Sequence, residues 1–79
     1  MEEKIKQIMA DVFLVDLSEI NEQTSPDNLV KWDSLAHLNL VVSLEEEFDI
    51  MLNEDQIIEM LNFKLVVEVV KESLQNNHV

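Results

Sequence analysis

The run from Trp32 to Ile50 constrains this chain more than any other feature. Set on a helix beginning near Ser34, at about 100° per residue, its side chains divide into one broad apolar arc and one narrow polar strip. Leu35, Leu38, Leu40, Val41, Val42, Leu44 and Phe48 fill the arc, and Asn39, Ser43, Glu46 and Glu47 share the strip. A strip that narrow predicts a helix covered on more than one side, central to a small helical fold. Its start is marked by Asp33 and Ser34, both good N-cap residues for the orphan amides of a first turn.

On the residues alone, Ser34 has two readings. In one, Ser34 or Asp33 simply caps the helix, without a capping box, because Ala36 and His37 stand where Glu or Gln would be needed. In the other, the Ser34 hydroxyl carries a phosphate ester at a positive helix end, where free amides and the macrodipole favour negative charge. Neither spacing nor composition chooses between them.

Asp33-Ser34-Leu35, the Leu/Val-rich helix that follows and the ending Leu44-Glu45-Glu46-Glu47-Phe48 occur together in register. The whole run closely resembles the 4′-phosphopantetheine attachment site of the acyl carrier protein family, and the resemblance extends more loosely over nearly the whole chain. It implies an all-α fold: a small four-helix bundle with a long loop between the first and second helices and a short third helix. It also implies a carrier without catalysis of its own. Coenzyme A and a phosphopantetheinyl transferase would place the arm on Ser34, within the Asp33 and Leu35 context, and the arm's thiol would hold acyl groups as thioesters. The implied partners are acyl-loading, condensing and tailoring enzymes with basic surfaces, of polyketide, mixed peptide or fatty-acid-type biosynthesis. They would dock on Leu35, Leu38 and Val42, rimmed by Glu45 and Glu46. Fatty-acid carriers usually have acids two and five residues after the serine, where this chain has Ala36 and Asn39. With Trp32 ahead of the site, that departure favours a dedicated pathway.

Length and charge narrow the alternatives. Seventy-nine residues are expected to form one domain, residues 1–79, working as a monomer, too small for a large catalytic cleft. With no cysteine, any thiol must come from a cofactor. The net charge of −12, from 17 acids against 5 basic residues, disfavours nucleic acid as a partner. From Asp33 to Glu59 there are eight acids and no lysine, a field that would steer a basic protein surface. The rival function is accordingly an acidic helical adaptor or inhibitor that needs no cofactor. An acidic start without a long apolar run predicts a cytoplasmic protein rather than a secreted or membrane-spanning one.

Along the chain, Ile5, Ile8, Met9, Val12 and Phe13 recur at helical spacing, predicting a first helix over residues 2–15. Turn formers then collect between Asp16 and Lys31, predicting a long loop with one helical turn opened by Ser25-Pro26 and pinned by Leu17, Ile20, Leu29 and Val30. Asn53 with Gln56 three residues on reads as an Asx-type capping box for a short third helix reaching about Leu61. Phe63, Val66, Val67, Val70 and Leu74 predict a fourth helix, with residues 75–79 fraying.

The other candidate constellations are weak. His37 lies one turn past Ser34, so a serine hydrolase can be imagined, but no acid is placed to orient it, and a surface histidine near the cofactor is the better expectation. Glu45-Glu46-Glu47 diverge on a helix and lack EF-hand spacing, so no metal site is expected. Trp32 reads as a packing anchor for the loop. Met51 and Met60, with Ile50, Leu52, Ile57, Ile58 and Leu61, read as ordinary core, with sheltering of an acyl chain as the alternative.

Overall fold

A computed structural model describes residues 1–76, and these hold four α-helices. They are α1 (Glu2–Phe13), α2 (Ser34–Phe48), α3 (Glu54–Glu59) and α4 (Phe63–Asn76), with a short 3-10 turn at Leu17–Glu19. No helix among the described residues is long and apolar enough to cross a membrane. Helix α1 packs on both α2 and α4, and α3 packs on α4. Ile5, Met9 and Phe13 of α1 meet Leu40 and Leu44 of α2 and Phe63, Val66 and Val70 of α4 in one core.

The helix ends follow local chemistry. Asn53 caps α3 by accepting from the Gln56 amide at 2.8 Å, while the Gln56 side chain accepts from the Asn53 amide at 3.0 Å. That is the expected capping box, and α3, six residues long, stops at Glu59 rather than at Leu61. Asn62 does the same for α4, accepting from the Leu65 amide at 2.8 Å. Lacking glycine, the chain ends α1 and α2 with Leu14 (φ 58°) and Asp49 (φ 53°) in the left-handed conformation. In each case the next residue's amide reaches back to close the end, Val15 to the Ala10 carbonyl and Ile50 to the Glu45 carbonyl. The first helix therefore stops at Phe13 rather than at Val15.

The long loop differs from expectation in what forms and what pins it. An additional 3-10 turn forms at Leu17–Glu19, where the Glu19 carboxylate accepts from the Asp16 amide at 3.1 Å. As expected, Ser25-Pro26 opens one helical turn, closed by the Asn28 and Leu29 amides on the Ser25 carbonyl at 3.2 and 2.9 Å. Ile20 and Leu29 are buried as expected, but Leu17 and Val30 are exposed. Their place is taken by Thr24 and Trp32. The Thr24 hydroxyl donates to the Glu19 carbonyl and accepts from the Asn21 amide, while its carbonyl receives the Phe63 amide at 2.9 Å, tying the loop to the start of α4. At the other end, Gln75 and Asn76 continue α4 rather than fraying, and residues 77–79 lie outside the described residues.

Candidate functional site

The start of α2 resolves the capping question. Asp33 is the N-cap, with extended backbone, and its Oδ1 accepts from the Ala36 amide at 2.8 Å. Its carbonyl accepts from the His37 amide at 2.8 Å. Ser34 is thus the first helical residue, exposed, with its hydroxyl not spent on the cap. The amides of Ser34 and Leu35 are the two orphan donors left in the first turn, beside that hydroxyl.

Behind the serine lies an aromatic support. Trp32 is 2% exposed and stacks on Phe13 with ring centroids 5.1 Å apart, so it anchors the loop as expected. Its indole N–H donates to His37 Nδ1 at 2.9 Å. Because an indole can only donate, Nδ1 must be the unprotonated acceptor. The hydrogen then sits on Nε2, which donates to the Ile57 carbonyl of α3 at 3.0 Å. His37 is accordingly half-buried and not the surface residue expected from sequence. With both ring nitrogens engaged, it has no lone pair to offer as a base for Ser34.

The apolar arc of α2 is only half covered, which corrects the expectation of a central helix. Leu40, Val41 and Leu44 are buried and Phe48 packs partly against the core. Leu35, Leu38 and Val42 are 70%, 56% and 52% exposed and share the adjoining stripe. A helix with so wide an arc can satisfy the core with one half and leave the other open. The open half runs back from Val42 to Ser34.

Between this stripe and α3 lies a cleft of about 570 Å³, with Ser34 at its edge and Leu38, Ile57, Ile58, Met60 and Leu61 among its walls. Met60 is core as expected, whereas Met51, Ile58 and Leu61 are exposed, the last two on the cleft. The two rim glutamates separate. Glu45 is half-buried and its Oε2 accepts from the Leu52 amide at 2.9 Å, holding the segment after α2. Glu46 is exposed and borders a second groove with Asp11 and Glu47 on the α1 side. Pro26 at the cleft edge and the Trp32–His37 bond carried no signal in the sequence, since a spacing of five residues across a helix start belongs to no helical face.

The family model described as "Phosphopantetheine attachment site" matches residues 3–70, a span that includes Ser34 and the whole of α2. The chain belongs to the acyl carrier protein family. Consistent with this, it is 35% identical over 69 residues to an acyl carrier protein of Clostridium acetobutylicum, covering 87% of this chain and 90% of that one. It is 39% identical over 54 residues to the acyl carrier protein of Chlamydia felis, covering 68% and 69%. The solution NMR structure of a holo acyl carrier protein from Geobacter metallireducens superposes with a TM-score of 0.84 at 28% identity, over 95% of this chain and 86% of that one. The four-helix, carrier-type fold expected from the sequence is therefore the observed one. Acyl carrier proteins are non-catalytic, and the family's covalent cofactor is 4′-phosphopantetheine. The residues present fit such a group: an exposed hydroxyl, two uncommitted amides for a phosphate and an apolar cleft alongside.

Proposed function

We propose that Ser34 is the attachment residue and that this acyl carrier protein presents acyl groups to partner enzymes along the exposed stripe of α2. The observation that carries the reading is the placement of Ser34 as the first, exposed residue of α2, between the open stripe and the cleft. In the active site of a phosphopantetheinyl transferase, the Ser34 hydroxyl gives up its proton and attacks the coenzyme A phosphorus nearer the pantetheine. The P–O bond of the pyrophosphate bridge breaks, adenosine 3′,5′-bisphosphate leaves, and the phosphopantetheine stays on Ser34 as a phosphodiester. The nearby amides and helix dipole favour the negative charge, a contribution of about 0.3–1 kcal/mol at an exposed end. Once bound, the cofactor supplies the thiol that holds the acyl group as a thioester, which the chain lacks for want of cysteine.

Leu35, Leu38 and Val42 form the contact with partners. Glu46 and the other acids from Asp33 to Glu59 set association rate and partner choice, as rim charges do. Glu45 contributes to that field while holding Leu52. Tethering then substitutes effective concentration for tight docking. With Ala36 half-buried and Asn39 exposed where fatty-acid carriers usually place acids, the docking face suits a dedicated pathway of polyketide or mixed peptide type.

Intact-mass measurement after incubation with coenzyme A and a broad-specificity transferase tests the reading. A gain of one phosphopantetheine is expected. No gain would return the chain to the acidic adaptor reading, in which the same stripe and acids dock without a cofactor.

A further inference from the structure

Three polar groups of the cleft wall are bonded in series. The Trp32 indole N–H goes to His37 Nδ1, and His37 Nε2–H goes to the Ile57 carbonyl. This relay joins three elements: the end of the loop, the first turn of α2, and α3. Among the described residues it is also the side-chain hydrogen bond between α2 and α3, a helix otherwise held from the α4 side by Gln56. Apart from Asp33 and Ser34, the rest of the wall is aliphatic or thioether, chiefly Leu38, Ile57, Ile58, Met60 and Leu61.

We propose that the Trp32–His37–Ile57 relay is the specificity-determining element of this carrier, making the cleft accept apolar acyl groups and refuse those ending in a charged or hydrogen-bonding group. The inference rests on the carrier reading and concerns which cargo the cleft shelters. A polar chain end lying against the Trp32–His37–Ile57 face leaves water and finds the donor and acceptors there already engaged, the free polar groups of the cleft being those of Asp33 and Ser34, where the arm begins. An apolar end loses nothing and gains burial. His37 has a second effect through position: by holding the Ile57 carbonyl, it keeps α3 close enough to α2 for the cleft to have a second wall. Removing the imidazole exposes an indole N–H and a carbonyl as free partners and releases α3.

The test uses the holo protein carrying a size-matched pair of acyl groups, hexanoyl and adipoyl, in wild type, His37→Ala and His37→Gln. Glutamine offers one acceptor and one donor and so can restore the relay. The readout is the rate of thioester cleavage by hydroxylamine, taken relative to the same acyl group on free pantetheine. The Trp32 indole resonance in NMR spectra of each variant reports the relay directly. The wild type is expected to protect hexanoyl several-fold and to leave adipoyl about as reactive as when free. His37→Ala should lose the hexanoyl protection and His37→Gln should recover most of it.

Asp33 lies at the same cleft and repels the adipoyl carboxylate in every variant. Discrimination that survives intact in His37→Ala would therefore assign selectivity to Asp33 and overturn the proposal. Equal protection of both acyl groups in wild type would overturn it as well. Failure of Ser34 to load at all would be seen in the mass before any cleavage is measured, and would instead count against the carrier reading.

Discussion

Helix α3 forms a wall of the cleft, and one residue, Gln56, fastens it to α4. Its Oε1 accepts from the Asn53 amide at 3.0 Å, and its Nε2 donates to Ser73 Oγ at 3.0 Å and to Glu72 Oε1 at 3.3 Å. Gln56→Ala removes all three bonds but keeps the Asn53 cap on the backbone amide. The partners differ in what they lose. Asn53 and Glu72 are exposed and regain water, so their bonds count for a few tenths of a kcal/mol each. Ser73 is 4% exposed, and leaving its hydroxyl without this partner costs about 1–2 kcal/mol. The total is about 2 kcal/mol, which for a domain of this size lowers Tm by roughly 8–16 °C. Thermal unfolding followed by far-UV circular dichroism measures it. Gln56→Glu sharpens the test, because it keeps the acceptor for Asn53 but sets a carboxylate against Glu72. Burial and that neighbour raise the new carboxyl's folded pKa, so its penalty is full at neutral pH and fades as pH falls through that value and a donor is restored. A Gln56→Ala fall of less than about 3 °C, or a Gln56→Glu deficit relative to wild type that does not shrink on acidification, would refute the reasoning.

Other outcomes follow from charge, backbone and contact. Added salt should raise Tm, because it screens repulsion in a chain of net charge −12 whose described residues show one ion pair, Lys4 with Glu47 at 3.5 Å; a Tm independent of salt would show the acids to be too solvated to repel. Leu14→Gly should raise Tm by a few degrees, since a left-handed residue that is 79% exposed gives up little packing, and relief of its backbone strain outweighs the chain entropy of glycine by up to about 1 kcal/mol; a lower Tm would contradict this. The Ala36→Asp, Asn39→Glu double variant should be elongated faster than wild type in a reconstituted fatty-acid synthase system, and equal elongation of both would remove the argument for a dedicated pathway.

What the sequence disclosed was local. The capping box at Asn53 and Gln56 and the start of α2 depend on near neighbours, and both are present; Trp32 anchors the loop as expected, but through Phe13, nineteen residues away. The turn at Leu17–Glu19 is also local, since Asp16 and Glu19 stand at capping-box spacing. Other features depend on how the helices meet. No periodicity tells which half of the α2 arc faces α1, so the exposure of Leu35, Leu38 and Val42 does not follow from the pattern that predicts the helix. The His37 contact with Ile57 spans twenty residues and a helix boundary. Leu14 and Asp49 end their helices in a conformation that glycine would have advertised.

The central claim is that one hydroxyl, on Ser34, takes the arm. Peptide-level mass spectrometry of the loaded protein tests it most directly, with Ser18, Ser25, Ser43 and Ser73 as internal controls. The modification is expected on the peptide containing Ser34 alone. Ser34→Ala should stay folded, because Asp33 rather than Ser34 caps α2, and should remain unmodified. Phosphopantetheine found on any other serine, or loading that persists in Ser34→Ala, would contradict the account.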